Sequence, residues 1–281
     1  MNYRHGFHAG NFADVVKHSL LLLLLEALER KPAPLAYFDT HAGAGVYDLS
    51  ADAARRTGEA AGGILRLWPA RGRLPPAAEK LCGIVAALDP ALAEGSLPRV
   101  YPGSPRVAAE ALRVSDRLVL AELHPEEARV LKAGFRHEER VAVHQRDGYE
   151  MLQALTPPQE RRGLALLDPP YEKSDEFEQA AAALAAAHGH WPGGVYALWY
   201  PVKDDSARRR FLRRVEQSGL RKLLLTEFRL ATRADGLMGS GLLILNPPWQ
   251  LDGTMRQCLE GLLPVLAPEG GEVEVRWLVP E

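Results

Sequence analysis

The sequence predicts an α/β fold with a mostly parallel sheet of seven strands. Short apolar runs alternate with helical segments, and several of these runs end in an acidic residue, a glycine or a proline. The run Gly163–Leu167 is apolar throughout, which is typical of a strand buried on both faces of a parallel sheet. The 281 residues suffice for one large domain, or for one domain with an insertion.

The composition is that of an ordinary globular protein, with 47% hydrophobic and 25% charged residues. A net charge of −2 gives no global positive field, so contact with nucleic acid requires a local basic patch. Cys82 and Cys258 show neither metal nor redox spacing, which fits a reducing cytoplasm. His5 and His8 have metal-ligand spacing, but no second pair accompanies them. We expect a cytoplasmic, monomeric protein without a metal.

A long helix is the first predicted element. Asn11 can cap its N-terminus, with Asp14 in the first turn, and Lys31-Pro-Ala-Pro34 ends it near Arg30. The six consecutive leucines at residues 20–25 are far fewer than the roughly 20 apolar residues that a membrane span requires. We expect a buried helix and no association with a membrane.

A glycine-rich loop follows the first predicted strand, at residues 35–38. Its sequence is Asp39-Thr-His-Ala-Gly43-Ala-Gly45, in which the glycines let the backbone pass close to a ligand. A dinucleotide-binding fingerprint has a third glycine, which is absent here. The acidic residue ahead of the loop suits the sulfonium and amino groups of S-adenosylmethionine better than the pyrophosphate of NAD. Asp39, His41 and Gly43 are therefore candidate cofactor-binding residues.

Residues 50–100 interrupt the expected order of strands. They are rich in Ala, Leu, Arg and Pro, with a helical pattern around 76–88. We expect an inserted helical subdomain at 50–100, with residues 1–49 and 101–281 forming the main domain. The chain returns at Tyr101-Pro-Gly-Ser104-Pro105, where Ser104 as N-cap and Pro105 at the first helical position predict a helix whose N-terminus points toward the cofactor.

Two further carboxylates follow predicted strands. The strand Arg117–Ala121 leads into Glu122, which is placed to hold ribose hydroxyls. The strand Val141–His144 leads to Asp147-Gly148, where a carboxylate can accept a hydrogen bond from the exocyclic amine of an adenine ring. Ligands of open α/β sheets bind at the carboxyl ends of the strands, so both side chains belong to the predicted cofactor site.

The fourth predicted strand leads into Asp168-Pro169-Pro170-Tyr171. Two prolines cannot continue a strand, so the chain leaves the sheet in a rigid, extended conformation. A planar amine can donate hydrogen bonds to the Asp168 carboxylate and the Pro169 carbonyl while its ring stacks on Tyr171. These three residues form the candidate catalytic group, and Tyr171 also contacts the substrate. The arrangement resembles the motif of amino-methyltransferases that act on nucleobases.

Four more strands are predicted in the last third of the chain. The fifth covers residues 195–200, and residues 222–228 and 241–246 form a final antiparallel pair. Residues 272–277 alternate in polarity and form a strand on an edge or on the back surface. Asn246-Pro-Pro-Trp249 repeats the motif of Asp168, but it follows the last strand of the pair, so we expect a turn there.

The densest basic run is Arg208-Arg-Arg-Phe-Leu-Arg-Arg214. On a helix, Arg210, Arg213 and Arg214 share one face and can track RNA phosphates. A solvated helix face explains the run equally well.

Taken in order, the motifs resemble those of the S-adenosylmethionine-dependent methyltransferases, and further segments narrow the resemblance to the RlmJ family. These segments are Tyr3-Arg-His, Phe7-His-Ala-Gly-Asn11, Ala13-Asp14, Lys17-His18, Tyr101-Pro-Gly-Ser-Pro105, Trp199-Tyr-Pro201, Asn246-Pro-Pro-Trp249 and Trp277-Leu-Val-Pro-Glu281. The resemblance extends from the second residue to the last. It implies a Rossmann-like class I methyltransferase fold and methylation of the N6 amine of one adenine in 23S ribosomal RNA.

The resemblance also implies roles for single residues. Those lining the cofactor site would be His18, His41, Ser104, Glu122, Asp147, Gly148 and Asp168. Asp168 would also be catalytic, and Tyr3 would contact the RNA. Residues 1–10 are rich in groups that stack on bases or contact phosphate, so we expect this segment to contact the substrate through Tyr3 and Arg4.

Three other functions stay open at this point. The chain could methylate another amine, namely N6 of adenine in DNA, N4 of cytosine, N2 of guanine, or a protein glutamine. It could be a noncatalytic RNA-binding protein on the same fold, although the intact Asp168, Glu122 and Asp147 argue against this. An NAD-dependent oxidoreductase is opposed by the two-glycine loop.

Overall fold

The structure, a computed structural model, describes residues 5–173, 175–231 and 236–281, apart from the side chain of Ala53. The strands are β1 Ala36–Asp39, β2 Val46–Asp48, β3 Val100–Pro102, β4 Arg117–Ala121, β5 Val141–His144, β6 Gly163–Leu167, β7 Val195–Val202, β8 Leu223–Leu230, β9 Gly239–Leu245 and β10 Gly271–Val279. The α-helices are α1 Phe12–Glu29, α2 Asp52–Thr57, α3 Ile64–Leu67, α4 Pro76–Leu88, α5 Ser104–Ala111, α6 Pro125–Gly134, α7 Gly148–Leu155, α8 Glu176–His190, α9 Asp205–Glu216 and α10 Leu251–Leu266.

The main sheet has the strand order β10-β8-β9-β7-β6-β1-β4-β5. The strands from β7 to β5 are parallel, and β9 is antiparallel to both of its neighbours. The prediction of an α/β fold with a mostly parallel sheet is confirmed. The sheet has eight strands and not the predicted seven, because β10 pairs antiparallel with β8 as an edge strand of the main sheet.

The sheet separates two hydrophobic cores. Successive residues of a strand point to opposite faces, so Tyr37 packs into one core and Phe38 into the other. Helices α1, α4, α5 and α10 contribute to the first core, and α7, α8 and α9 to the second. Every residue of α1 from Phe12 to Leu25 is buried, as expected for the leucine run. Within the described ranges, no helix has the length and apolar character that a membrane crossing requires.

The segment between β2 and β3, which we call the inserted segment, begins and ends at these two paired strands. β2 and β3 pair antiparallel, with Val46 opposite Pro102 and Asp48 opposite Val100. This pair was not predicted, because strands of three residues show too little periodicity. The predicted helical pattern at 76–88 corresponds to α4, which packs against α1 and α10, while α3 packs against α10. Helices α3 and α4 therefore share one hydrophobic core with α1 and α10.

The order of the strands reverses between β1 and β6. From β1 the chain continues to β4 and β5 on one side, whereas β6 and β7 extend the sheet on the other side. Ligands of open α/β sheets bind at such a switch point, outside the carboxyl ends of the strands. A cleft of about 210 Å³ lies there.

Candidate active site

The cleft brings together most of the residues predicted from the sequence. Nine of them line it, namely His18, His41, Gly43, Ser104, Glu122, Asp147, Gly148, Asp168 and Pro169. Asp39 and Tyr171 are described by the structure but do not line the cleft. Tyr3 and Arg4 lie outside the described residues.

Two glycines let the backbone approach the cleft more closely than a side chain would permit. Gly43 has a φ of 60°, and a Cβ at this position would lie 2.0 Å from the Tyr47 hydroxyl oxygen. A Cβ on Gly148 would lie 1.9 Å from the carbonyl oxygen of Thr40. Both positions therefore require glycine, and together they form a cradle of bare backbone beside the cleft.

Two predicted carboxylates hold the walls of the cleft in place. Glu122 accepts hydrogen bonds from the backbone N–H groups of Gly43 and His124, at 2.8 and 2.7 Å. Asp147 caps α7, because its Oδ1 accepts hydrogen bonds from the backbone N–H groups of Tyr149 and Glu150 in the first turn of that helix. Burial raises the pKa of the Glu122 carboxyl above its ordinary value. Both carboxylates still line the cleft and present acceptors to it.

Asp39 lies beneath the glycine loop and supports it. Its Oδ2 accepts hydrogen bonds from the hydroxyls of Tyr37 and Ser104, at 2.9 and 2.7 Å, and its Oδ1 from the N–H of His41 at 3.3 Å. Burial raises the pKa of Asp39 to about 6. Ser104 was predicted as the N-cap of α5, but Gly103 takes the cap position and the helix begins at Ser104. The Ser104 hydroxyl is engaged by Asp39 and caps no backbone N–H.

The two predicted histidines of the cleft are neutral at physiological pH. The Nδ1 of His18 lies 2.9 Å from the hydroxyl of Tyr101, and burial lowers the pKa of His18 to about 3. The Nδ1 of His41 lies 2.8 Å from the hydroxyl of Thr40, and burial lowers the pKa of His41 to about 4. These side chains therefore offer hydrogen bonds to a ligand but no positive charge.

Lys17, for which the sequence predicted no role, lies at the centre of the site. Its Nζ is 2.5 Å from Oδ2 of Asp168 and 3.0 Å from Oδ1 of Asp14, and its side chain is only 4% exposed. Burial opposes its charge, but Asp14 and Asp168 outweigh burial and raise the pKa of Lys17 above its ordinary value. An acid and a base three residues apart share one helix face. That spacing, in a helix otherwise rich in leucine, is the signal that could have identified the pair.

The N-terminal segment is tied to the cleft from His5 onward. His5 is 2.9 Å from Oδ2 of Asp14, and His8 is 2.8 Å from Oε1 of Glu59 in the inserted segment. His5, His8 and Glu59 line the cleft. Burial works against the charge of Asp14, but His5 and Lys17 hold its pKa well below the ordinary range. The insertion and α1 therefore anchor this segment together.

Tyr171 packs beside the cleft. Its hydroxyl donates a 2.7 Å hydrogen bond to the carbonyl of Trp199, and its ring contacts Phe177 and Trp199, with centroid distances of 4.6 and 5.8 Å. Its φ of 53° lies in the left-handed region, which is uncommon for a residue with a side chain. Trp199 lines the cleft and is an aromatic wall that the sequence did not assign. Stacking of a base on Tyr171 stays a prediction.

The second copy of the proline motif lies at the opposite edge of the sheet. β9 runs antiparallel to β7, so Asn246 follows it at the edge away from the cleft. The Asn246 side chain donates to the carbonyls of Pro192 and Gly194, both at 2.9 Å. Asn246 therefore holds the loop between α8 and β7, in line with the predicted turn.

Comparison with known proteins places this geometry in a family. Residues 32–279 match the family model described as "Ribosomal RNA large subunit methyltransferase D, RlmJ". The "Ribosomal RNA large subunit methyltransferase J" of Escherichia coli K12 is 41% identical and that of Haemophilus influenzae 40% identical, each over the full length of both chains. The crystal structure of a Legionella pneumophila protein, 35% identical, superposes with a TM-score of 0.88 and covers 96% of this chain and 98% of its own.

These likenesses bear directly on the functions left open by the sequence. They confirm an S-adenosylmethionine-dependent enzyme that acts on ribosomal RNA, and they do not favour methylation of DNA or protein, a noncatalytic RNA-binding protein, or an oxidoreductase. The site agrees, since its glycine cradle and its carboxylates suit a cationic nucleoside cofactor. The chain belongs to the RlmJ family of ribosomal RNA large subunit methyltransferases.

Proposed function

We propose that the protein methylates the exocyclic N6 amine of one adenine in 23S ribosomal RNA, and that Asp168 and Pro169 receive this amine. The main support is the position of Asp168 at the carboxyl end of β6, where its side chain, 11% exposed, lines the cleft together with Pro169 and Pro170. A carboxylate and a carbonyl side by side match the two hydrogens of a planar amine.

The other half of the cleft fits S-adenosylmethionine. Gly43 and Gly148 supply the backbone cradle, and Glu122 and Asp147 present acceptors for ribose hydroxyls and for an adenine amine. When bound, this cofactor supplies an electrophilic methyl group on a positively charged sulfur, and the surrounding carboxylates suit that charge. The remaining residues that we assign to its binding are His18, His41, Ser104 and Asp168, together with Asp39, which acts through the loop that it supports.

The residues of the catalytic loop act on the amine of the target base. Adenine N6 is a weak nucleophile, because its lone pair is delocalised into the ring. Hydrogen bonds from this amine to Asp168 and to the Pro169 carbonyl draw the nitrogen toward tetrahedral geometry and stabilise the positive charge that develops on it. The proton then leaves to Asp168 or to water. The base must leave its stack to reach the cleft.

Lys17 orients the Asp168 carboxylate for this task. Its ammonium engages Oδ2 at 2.5 Å. Within the ranges that the structure describes, Oδ1 of Asp168 has no hydrogen-bond partner, so this oxygen is available to the amine. Tyr171 belongs to this loop and its ring contacts that of Trp199, which lines the cleft, and we assign to Tyr171 a contact with the substrate base.

Replacing Asp168 with alanine tests the proposal. Asp168→Ala removes the acceptor, so methylation of 23S ribosomal RNA transcripts at saturating S-adenosylmethionine should fall below a tenth of the wild-type rate. Lys17 keeps Asp14 as a partner, and a melting curve separates loss of chemistry from loss of fold. Activity above a tenth in a folded variant contradicts the role of Asp168.

We further propose a monomer that acts in the cytoplasm without a metal. Both cysteines are free and buried, as suits a reducing compartment. His5 and His8, whose spacing suggested a metal pair, each lie within hydrogen-bond distance of a carboxylate, Asp14 and Glu59 respectively. Light scattering should give the mass of one chain, and activity should be unchanged in excess EDTA. A dimer mass, or activity lost to EDTA and restored by a divalent cation, contradicts these points.

A further inference from the structure

A second groove lies outside the cleft, between α8 and α9. It has a volume of about 1050 Å³. Small side chains of α8 form one wall, and the other wall is the basic face of α9. The lining residues that matter here are Phe177, Ala181, Ala185, Arg210, Arg213 and Arg214. Alanines keep the groove wide, and the arginines give it positive charge. We call it the arginine groove.

Helix α9 carries a local excess of positive charge, although the net charge of the whole chain is −2. The helix contains five arginines and two acidic residues. Arg208 is committed to the fold, because it bonds to the buried Glu227 and to Glu274. Arg210, by contrast, is exposed and has no salt-bridge partner within 4.0 Å among the described residues. Its guanidinium is therefore available to an anion.

The other two arginines are also accessible. Arg213 donates from Nε to the carbonyl of Arg209, at 3.2 Å, and Arg214 pairs with Glu178 at 2.7 Å. Both members of the Arg214 pair are more than half exposed, and exposed pairs are weak. A phosphate can therefore replace Glu178 as the partner of Arg214.

The arginine groove begins at the catalytic loop. α8 follows the loop after β6, and α9 follows the parallel strand β7, so both helices start at the edge of the sheet that holds the cleft. Phe177 lines the groove and packs against Tyr171, with a centroid distance of 4.6 Å. An RNA strand whose base enters the cleft therefore passes the end of the groove that is formed by Phe177.

We propose that the arginine groove binds the phosphate backbone of the substrate RNA beside the target base. This inference rests on the proposed function for the identity of the polymer. Arg210 and Arg214 are four residues apart, so they lie about 6 Å apart along one helix face and can hold successive phosphates. Guanidinium groups bind phosphate with two parallel hydrogen bonds, without reading sequence.

The test measures RNA binding by the full-length protein. The triple variant replaces Arg210, Arg213 and Arg214 with Gln, and its matched control is Arg209→Gln. Arg209 lies on the same helix, outside the groove, 4.0 Å from Asp205. The probes are a fluorescent single-stranded oligoadenylate and a 23S ribosomal RNA transcript, each titrated at several salt concentrations.

The triple variant should bind both RNAs at least roughly tenfold more weakly, and its logarithmic salt slope should fall by about 2, since each lost phosphate contact removes about 0.7 on a single strand. Arg209→Gln should bind within about twofold of wild type, and Glu178→Gln should bind more tightly. Wild-type affinity and salt slope in the triple variant overturn the proposal.

The methylation assay separates this inference from the proposed function. For the triple variant we expect a raised KM for RNA with kcat and cofactor affinity unchanged. Failure of the wild-type protein to methylate 23S ribosomal RNA refutes the proposed function, whereas the comparison of RNA affinities between the variants stands without any methylation.

Discussion

At the scale of single residues, the site depends on three charges, of which Asp14 and Lys17 are buried and Asp168 is only slightly exposed. Asp14 and Lys17 come from α1, and Asp168 follows β6, 151 residues further along the chain. Burial of an ion is costly unless its partners are close and well placed. The Lys17 ammonium lies between the two carboxylates, so α1 provides both hydrophobic packing and the cation that positions the proposed catalytic acceptor.

Replacing Lys17 should reveal this dependence as a loss of stability. Lys17→Met leaves Asp14 and Asp168 without their shared cation, which should reduce the free energy of unfolding by about 3–5 kcal/mol. Adding Asp168→Asn removes one of the two stranded charges and should restore part of that loss. Denaturant titration of the two variants measures both effects. Equal stability of the single and double variants would show that the pair is not coupled.

Asp39 should make the stability depend on pH. Its pKa is raised from 3.8 to about 6, so the unfolded state ionises first as the pH rises. The native state therefore loses about 3 kcal/mol relative to Asp39→Asn between pH 4 and pH 6, and nothing further above that range. Unfolding free energies of both proteins at pH 4, 5, 6 and 7 give this difference. A constant difference contradicts the raised pKa.

Some residues of the candidate site could be predicted from the sequence, because the order of the strands along the chain shows which side chains end up close together. Glu122, Asp147 and Asp168 each follow a parallel strand, and such strands end at one edge of the sheet. Partners far away in sequence decide the rest. Ser104, 65 residues away in sequence, donates a hydrogen bond to Asp39, and the contact between Lys17 and Asp168 forms only where α1 meets the end of β6. No local pattern specifies these contacts.

At the scale of elements, the buried strands were the most predictable features. β4, β5 and β6 have the predicted bounds, because apolar runs between polar turns define them. The β2–β3 pair was missed, since three-residue strands form only when the inserted segment brings their ends together. β10 was recognised as a strand, but its place at the sheet edge depends on pairing with β8.

The second proline motif should prove structural. Asn246→Ala removes two hydrogen bonds that hold the loop before β7, which should lower the unfolding free energy by roughly 1–3 kcal/mol, while kcat stays within about twofold of wild type. Denaturant titration and a methylation assay on the same sample measure both quantities. A loss of methylation rate as large as that of Asp168→Ala would contradict the purely structural role of Asn246.

At the scale of the whole molecule, two surfaces of opposite charge serve the two ligands. Carboxylates surround the cleft, where a cationic cofactor fits, and the arginine groove extends from the catalytic loop down the face formed by α8 and α9. A net charge of −2 is compatible with RNA binding because Arg210, Arg213 and Arg214 form a local basic patch in this groove. The segment between α2 and α3 contributes Glu59 to the lining of the cleft.

Mapping of the methylated nucleotide tests the proposed reaction most directly. Ribosomal RNA from a strain without this gene is incubated with the protein and S-adenosylmethionine, digested and examined by mass spectrometry. Wild-type protein should convert one adenine of 23S ribosomal RNA to N6-methyladenine, and Asp168→Ala should leave that adenine unmodified. A methyl group on cytosine or guanine, or an equal yield with Asp168→Ala, would contradict the assignment.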